Sequence, residues 1–424
     1  MERSPEQREH LAVNSGANKI HFYAWVVVAL LWPVALLNYL DRQTLSTIRA
    51  SVRADIPGIA SDEDFGKLMA IFMWVYACLS PVGGYIADKF SRRWTVIGSL
   101  FIWSAVTWLT GHAHTYLQML TFRGLMGISE AFYIPAALAL IADYHTGNTR
   151  AKAVGLHQTG IYAGLALGGI SGYIADHSSW RNCFTWFGAA GVLYSIILML
   201  ALRDANKNGT AFNKGASVTI PETLRALWLQ SAFWILVIYF TLPAISGWVT
   251  KNWLPTFLAD TFNMKQGLAG LSATSYIQLA SLGGVFLGGV VADFWMRWTN
   301  RGRIFTSALG VLLLVPALLG LGFARNLDAA ITFMILFGIG WGFYDCNNMP
   351  ILCQIARPEH RATGYGFMNF VSISVGAGAT VALGWMRDHG VNFSAAFAVS
   401  AAVALLSVGL ILSLKTRGGE FLET

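Results

Sequence analysis

Four ionisable residues stand in stretches that are otherwise apolar enough to cross a bilayer. Asp41 and Arg42 end the first apolar run, while Arg123 and Glu130 lie seven positions apart in another. Seven residues make nearly two helical turns, so Arg123 and Glu130 share almost one face, roughly 10 Å apart along the axis. A charge inside a bilayer is costly unless it faces water, a partner or a ligand. The rest of the chain must therefore give this charged quartet an interior.

Two interpretations of the quartet are open. The four groups could form two internal ion pairs that hold the first and fourth segments together. We favour the other interpretation, a binding and coupling site, because the planar fork of an arginine grips a carboxylate in a bidentate manner. An acid in a partly desolvated cavity can in turn exchange a proton near neutral pH.

The end of the first segment helps to decide between these two interpretations. Asp41 and Arg42 could simply mark a helix end that meets water. However, Leu45, Ile48 and Val52 continue a helical apolar stripe past Arg42, which favours a helix wall facing an aqueous cavity.

Composition places the chain in a membrane. Of its 424 residues, 55% are hydrophobic and only 12% are charged, and the mean hydropathy is +0.52. A soluble chain carries about twice that charged fraction. The net charge of +7 is assigned to loop topology and not to a nucleic-acid partner, and the four cysteines are expected to be buried free thiols.

Apolar segments occur as six, a hydrophilic stretch, and six again. They lie near 22–50, 66–88, 94–112, 115–142, 151–175, 180–202, 228–258, 267–296, 303–323, 327–354, 362–386 and 392–414. We therefore predict an all-α membrane protein of twelve transmembrane helices. The predicted divisions are a tail (1–20), a six-helix bundle (21–202), a linker (203–226), a second bundle (227–415) and a final tail (416–424).

Lysine and arginine fall in alternate loops, which sets the orientation. The loops predicted to be cytoplasmic carry clusters of basic residues, whereas the opposite loops carry few charges. The clusters lie around Arg92, Arg150, Arg203, Arg301 and Arg361. The sequence thus predicts both termini in the cytoplasm.

An internal repeat follows the second segment of each half. The run from Gly84 to Arg93 (GYIADKFSRR) is matched by the run from Gly289 to Arg297 (GVVADFWMR). Shorter echoes end the fifth and eleventh segments, GYIAD at 172–176 and GWMRD at 384–388. Glycine permits close helix approach, and an aspartate at a helix end can lock to a neighbouring helix. The residues predicted to form a conformational lock are Gly84, Asp88, Arg92, Arg93 and Asp293.

This pattern resembles the major facilitator superfamily, whose loop signature between helices two and three is similar to the run from Gly84 to Arg93. The resemblance covers residues 20 to 415. It implies two pseudo-symmetric six-helix bundles, a central cavity and alternating access. The second copy departs from the signature, since Phe294 replaces the basic residue after the aspartate, and a weaker lock is expected there.

The quartet narrows the resemblance to the anion:cation symporter branch. Asp41 and Arg42 match its motif directly, and Arg123 and Glu130 match it in spacing. The resemblance implies that Arg42 and Arg123 serve the substrate and that Asp41 and Glu130 serve proton coupling. Spinster-like lysolipid carriers share a similar pattern in helix four.

Further polar groups at membrane depth are candidates to complete the cavity. Gln158 and Tyr162 share a face of the fifth segment, and His157 is a second proton candidate whose structural role we favour. Asp345 is either a cavity group or half of an ion pair between helices. The other substrate-binding predictions are Tyr76, Tyr344, Asn348 and Asn369. Asn347 and Ser372 are further candidates for the cavity, and Trp248, Asn252 and Tyr276 are weaker ones.

The chain shows no phosphate loop and no metal-ligand spacing, so we predict no enzyme and no cofactor, with a proton gradient as the energy source. The predicted function is import of a small organic anion, such as a sugar acid, by a monomer in a bacterial inner membrane. The alternatives are a spinster-like lysolipid carrier, a proton-coupled carrier of neutral or amino sugars, and a receptor or scaffold on a transporter fold.

Overall fold

The computed structural model describes residues 5–205 and 220–414, with the backbone alone for 5–21 and for positions 84, 85, 87, 88, 148, 220, 221, 223 and 224. Helices make up the regular structure of this part of the chain. They are α1 (Pro5–Thr47), α2 (Arg49–Asp55), α3 (Asp62–Lys89), α4 (Arg92–Thr110), α5 (Tyr116–Glu130), α6 (Tyr133–Tyr144), α7 (Asn148–Leu167), α8 (Ile170–His177), α9 (Trp180–Ala201), α10 (Ile220–Trp228), α11 (Ser231–Phe262), α12 (Gln266–Met296), α13 (Gly302–Phe323), α14 (Leu327–Asp345), α15 (Asn348–Cys353), α16 (Arg361–Asp388) and α17 (Phe393–Leu412).

Each predicted segment coincides with one helix or with two consecutive helices, which confirms the all-α membrane fold. Ten of these units are long and apolar enough to cross a membrane. The remaining two are α4, which begins with two arginines, and the pair α7 and α8, which carries Arg150, Lys152 and Gln158. Both pack against other helices of the bundle, α4 on α9 and α7 on α1 and α12. Twelve spans therefore remain a prediction.

The predicted tails and linker lie only partly within the described residues. Helix α1 begins at Pro5, so the backbone is helical through most of the predicted tail. Most of the predicted linker lies outside the described residues, and its end forms α10. The final tail also lies outside them.

Two breaks inside the predicted segments have a local cause. A proline lacks the N–H that would bond the carbonyl four residues earlier. Pro135 cannot bond Ala131, and Pro350 cannot bond Cys346, at the points where α5 gives way to α6 and α14 to α15. The last residues before these breaks are Glu130 and Asp345, so each half ends a helix on an acid at membrane depth.

The two halves meet tightly at one end of the bundle, which we call the closed end. Buried side chains of both halves form one apolar cluster there, including Ile48 and Phe65 from the first half and Trp253, Phe257 and Phe397 from the second. Each half also has its own apolar core. The seams of the closed end run between α3 and α16 and between α12 and the α7–α8 pair.

The echo at the end of α16 makes the first seam. The Asp388 carboxylate accepts hydrogen bonds from the backbone N–H groups of Asp62, at 2.9 Å, and Glu63, at 2.8 Å. It thereby caps the N-terminus of α3, where a negative charge is stabilising. Gly384 allows this approach, because a Cβ there would stand 2.4 Å from the Asp62 carbonyl oxygen.

The echo at the end of α8 makes the second seam in the same way. The Asp176 carboxylate accepts a hydrogen bond from the Gly267 N–H at 2.7 Å, at the N-terminus of α12. A Cβ at Gly172 would stand 2.8 Å from the Gln266 carbonyl oxygen. The two echoes are thus equivalent contacts, each joining a helix end of one half to a helix start of the other.

The closed end is richer in charge than the sequence predicted, and several of its charges form one network of ion pairs. Asp62 binds Arg49, Arg53 at 2.7 Å and, across the seam, Arg387 at 2.7 Å. Arg387 also binds Asp260 at 2.8 Å. Because opposite charges alternate in this cluster, its basic residues do not make the end a strongly positive loop region.

The predicted lock lies at the opposite end, within the separate halves. Arg92 pairs with Asp143 and donates to the Ala139 carbonyl oxygen at 2.9 Å. Arg93 donates to the Met199 carbonyl oxygen at 2.5 Å. Asp293 pairs with Arg303 at 3.2 Å in the second half. Only the backbone is described for Gly84 and Asp88, so their part in the lock stays a prediction.

The halves diverge toward that opposite end. Between described residues, the hydrogen bonds that cross from one half to the other lie between the closed end and the level of Trp74, whose indole donates to the Ser374 carbonyl oxygen at 3.0 Å. Farther along, a Cβ added at Gly155 or Gly366 would meet open space. The central region is therefore sealed at the closed end.

We expect Asp388→Asn to weaken the closed end. An amide keeps the shape but loses the charge that faces the N-terminus of α3, a change worth about 1 kcal/mol, or about a fivefold shift toward separated ends. Spin labels at the exposed loop positions His114 and Arg325, in a cysteine-free background, would report the distance distribution between the halves.

Asp328→Asn is the matched control, because Asp328 lies exposed in the first turn of α14, at the same end but away from both seams. An unchanged distance distribution in Asp388→Asn would contradict the capping role.

Candidate functional site

A central cavity between the halves encloses about 90 Å³ next to the closed end. Its walls come from α1, α3, α5 and α7 of the first half and from α11 of the second. The lining residues are Tyr39, Arg42, Gln43, Ser46, Met69, Phe72, Met73, Arg123, Leu165, Trp248, Lys251 and Asn252. Three of them are cationic, and no residue in this lining is acidic.

Arg42 and Glu130 form an ion pair that joins α1 to α5. The Arg42 Nε donates to Glu130 Oε2 at 2.6 Å, and the Glu130 side chain is fully buried. The guanidinium also lies over the rings of Tyr39 and Tyr76, at 4.6 and 4.4 Å from their centroids. The predicted substrate residue Tyr76 is thus placed against Arg42. One Arg42 nitrogen and the second Glu130 oxygen have no hydrogen-bond partner among the described residues.

Arg123 differs from Arg42 in having no acidic partner in contact. Its side-chain hydrogen bonds go to the Leu68 carbonyl oxygen, at 3.5 Å, and to Met126 Sδ, at 3.4 Å. The guanidinium lies 4.9 Å from the Phe72 ring centroid. No carboxylate in the described part of the chain lies within 4 Å of it, so its charge is not neutralised by a direct ion pair.

Asp41 is buried behind the cavity wall. One carboxylate oxygen accepts a weak hydrogen bond from Thr107 at 3.3 Å, and the other has no hydrogen-bond partner within the described ranges. The quartet therefore contains one ion pair, between Arg42 and Glu130, and not the two that the structural interpretation requires. Arg123 and Asp41 are buried without a direct ionic partner.

The predicted residues of the fifth segment divide between two faces of α7. His157 is buried and bonds to the Tyr133 hydroxyl at 2.9 Å, which supports the structural role favoured for it. Gln158 lies exposed on another face. Tyr162, one turn from Gln158, is half-buried and is not among the residues that line the cavity.

The predicted residues of the tenth and eleventh segments are only partly central. The buried Tyr344 hydroxyl donates to the Phe240 carbonyl oxygen at 2.6 Å, so this side chain is committed to the core of the second half. Asn348 is also fully buried, with no hydrogen-bond partner for its amide in the described structure. Asn369 is half-buried beside Tyr365. The structure does not bring Tyr344 to the cavity.

The remaining candidates also lie partly in the cavity lining and partly elsewhere. Trp248 and Asn252 line the cavity, and the Asn252 amide donates to Thr380 Oγ1 at 3.0 Å. Asn347 and Ser372 are buried, and the Asn347 amide donates to the Phe343 carbonyl oxygen at 2.9 Å. Tyr276 is 40% exposed and is not among the lining residues.

Sequence reasoning missed Lys251. It lies near the middle of α11, its Nζ stands 4.1 Å from the Trp341 ring centroid, and its carbonyl oxygen accepts a hydrogen bond from Gln43 of the other half. A lysine in the interior of a 32-residue apolar helix was the available signal.

Arg42 has an acidic partner and Arg123 has none, so substitutions at the two positions should change the melting temperature in different ways. Arg42→Met and Glu130→Gln should each lower the melting temperature in detergent, since removing one partner of a buried ion pair costs about 3–5 kcal/mol. The double variant should recover most of the loss. Arg123→Met should leave the melting temperature unchanged or raise it, because it removes a buried charge without a carboxylate partner.

Arg123→Met also serves as the control for size and charge in this comparison. A loss equal to that of Arg42→Met would show that Arg123 is a structural cation and would contradict its availability to a ligand.

Curated relatives fall into two groups by name. The chain is 25% identical over 380 residues to "Protein spinster" of Drosophila melanogaster, covering 86% of this chain and 62% of that protein. It is 28% identical over 395 residues to the human "Protein spinster homolog 1", covering 86% and 73%. It is 24% identical over 433 residues to the "Probable galactarate/D-glucarate transporter GudP" of Escherichia coli K12, covering 94% of each. The chain thus spans less than two thirds of the fly relative.

Solved structures show the same fold. A bacterial homologue of the human lysosomal transporter spinster, in an inward-facing and unoccupied conformation, matches with a TM-score of 0.76 at 20% identity, covering 94% of this chain and 99% of that one. The nucleoside transporter NupG matches with a TM-score of 0.75 at 12% identity. The sequence profile described as "Major Facilitator Superfamily" matches residues 22–381. The chain is a multi-pass membrane protein and belongs to the Major Facilitator Superfamily of transporters.

Proposed function

We propose that this transporter is a proton-coupled symporter that imports a small organic anion, such as a sugar acid or another carboxylate. The observation that carries the proposal is Arg123, a buried guanidinium in the central cavity with no carboxylate in contact. An uncompensated cation in a low-dielectric interior favours an anionic ligand. The sugar-acid transporter among the relatives supports the same substrate class.

The Arg42–Glu130 pair provides a route for coupling. A proton on Glu130 would neutralise its carboxylate and weaken the hold on Arg42, whose guanidinium would then have a free donor edge. Arg42 faces the cavity beside Tyr39 and Tyr76, so a substrate carboxylate could take the place of Glu130. Asp41, buried with one unpartnered oxygen, is the second proton site.

The distribution of basic loops supports a bacterial-type inner membrane with both termini in the cytoplasm. In that orientation the closed end faces outward and the diverging end faces the cytoplasm. The transporter would be a monomer of two six-helix bundles (21–202 and 227–415), joined by the linker 203–226 and flanked by the tails 1–20 and 416–424. Gly84, Asp88, Arg92, Arg93 and Asp293 would meet the other half when the cytoplasmic end closes.

The alternative of a lysolipid carrier is supported by the spinster relatives. Such a carrier needs an apolar opening between the halves. A large apolar groove of the structure, about 630 Å³, is instead formed by α3, α4, α5 and the flanking residues Phe90, Ser91 and Phe132, all in the first half. Thermal-shift measurements with lysolipids and with soluble carboxylates would separate the two classes of ligand.

We expect Glu130→Gln to abolish accumulation of the carboxylate substrate in proteoliposomes with an inward proton gradient. The amide cannot be protonated and released in a cycle, so counterflow exchange should persist while net concentration is lost. Glu63→Gln, at the closed end, is the control and should transport normally. Uptake by Glu130→Gln against the substrate gradient would contradict the coupling role.

Arg123→Lys should weaken carboxylate binding by about tenfold or more, because lysine keeps the charge but loses the bidentate fork. The expected readout is the Kd for a sugar acid measured with purified protein. A carrier of neutral or amino sugars would instead retain nearly full affinity in this variant, so an unchanged Kd would favour that alternative.

A further inference from the structure

The second half contains a charged couple that mirrors the Arg42–Glu130 pair of the first half. Glu130 stands five residues before Pro135 at the break between α5 and α6. Asp345 stands five residues before Pro350 at the break between α14 and α15. The basic members lie on the first long helix of each half, Arg42 on α1 and Lys251 on α11. Equivalent helices of a parallel repeat face the same central cavity.

The second couple is looser than the first. Within the described ranges no carboxylate lies within 4 Å of the Lys251 ammonium group, and the Asp345 side chain is exposed. The nearest stabilising contact is the face of Trp341, at 4.1 Å. An aromatic face balances part of the charge and leaves the N–H donors unoccupied. Lys251 thus resembles Arg123, which lies over Phe72 in the other half.

Lys251 is fixed at the junction of the two halves. Its carbonyl oxygen accepts from Gln43 Nε2 at 3.1 Å, and its side chain lines the same cavity as Arg42 and Arg123. The cavity therefore has cationic donors on opposite walls, and these walls belong to the halves that must move relative to each other.

From this arrangement we infer that Lys251 is a second carboxylate anchor and that the transported anion is a dicarboxylate. One terminal carboxylate binds Arg123 and Arg42 of the first half, and the other binds Lys251 of the second. This inference rests on the proposed function and specifies its substrate class. A ligand charged at both ends compensates the cations of both walls at once, whereas a monocarboxylate leaves one wall uncompensated.

Galactarate and galactonate are matched probes, because they share one six-carbon polyol chain and differ in having two carboxylates or one. We expect the wild-type protein to favour galactarate. Lys251→Gln should raise the KM or Kd for galactarate by about tenfold or more, the effect of losing a charge-assisted hydrogen bond, and should change that for galactonate less than twofold. Lys251→Arg should retain the preference.

Lys265→Gln is the control, since Lys265 is an exposed lysine of the same half at the closed end. Succinate and butyrate repeat the comparison on a shorter chain, and binding to detergent-purified protein covers a variant that assembles poorly in liposomes. An equal loss for both ligands of a pair, or no loss for either, would overturn the second anchor. A wild-type protein that neither binds nor transports any carboxylate would overturn the proposed function itself.

Discussion

The cost of placing a charge in a medium without water governs this structure. Four charged groups at the centre of the bundle have contacts that balance part of their charge, and these contacts are of two kinds. Arg42 and Glu130 compensate each other directly, at 2.6 Å. Arg123 and Lys251 have no carboxylate in contact and lie against the faces of Phe72 and Trp341. The second kind of contact is weaker, so both cations can still form an ion pair with a ligand.

The same cost explains why the closed end can be closed. The charge cluster there consists of one acid, Asp62, and three arginines, Arg49, Arg53 and Arg387. Each arginine binds the Asp62 carboxylate, so the four groups form one network of ion pairs across the seam. Asp388 and Asp176 compensate the partial positive charges of two helix starts on the opposite half. These contacts lie at the rim, where water can replace each of them. The ends can therefore separate without leaving a charge in the bilayer.

Much of the fold could be predicted because hydropathy and loop charge act locally. The predicted segments coincide with the helices to within a few residues at most ends. The four glycine–aspartate motifs were also visible in the sequence. The partners of Asp176 and Asp388 could not be predicted, since a capping contact depends on which helix of the other half lies beside the motif. Nothing in the sequence around Gly267 or Asp62 indicates that relation.

The site was predicted less completely, for a related physical reason. In a helix that is apolar on every side, the pattern does not show which face is central. Tyr344 was therefore assigned to the cavity although its hydroxyl bonds to Phe240, and Lys251 was overlooked although it lines the cavity. His157 and Gln158 show the same limit, because adjacent positions on α7 place one side chain in the core and the other outside it.

The charge balance at the centre connects these observations to transport. With all groups ionised, three cations (Arg42, Arg123 and Lys251) face three acids (Asp41, Glu130 and Asp345), and the empty site is close to neutral. In the proposed symport, each proton that an acid accepts would leave one positive charge without a counterpart. An anion that enters would then restore neutrality, and its departure would leave the protonated acids beside uncompensated cations, which would favour release of the protons. Coupling in such a site needs no direct contact between proton and substrate, because both act on the charge of one low-dielectric cavity.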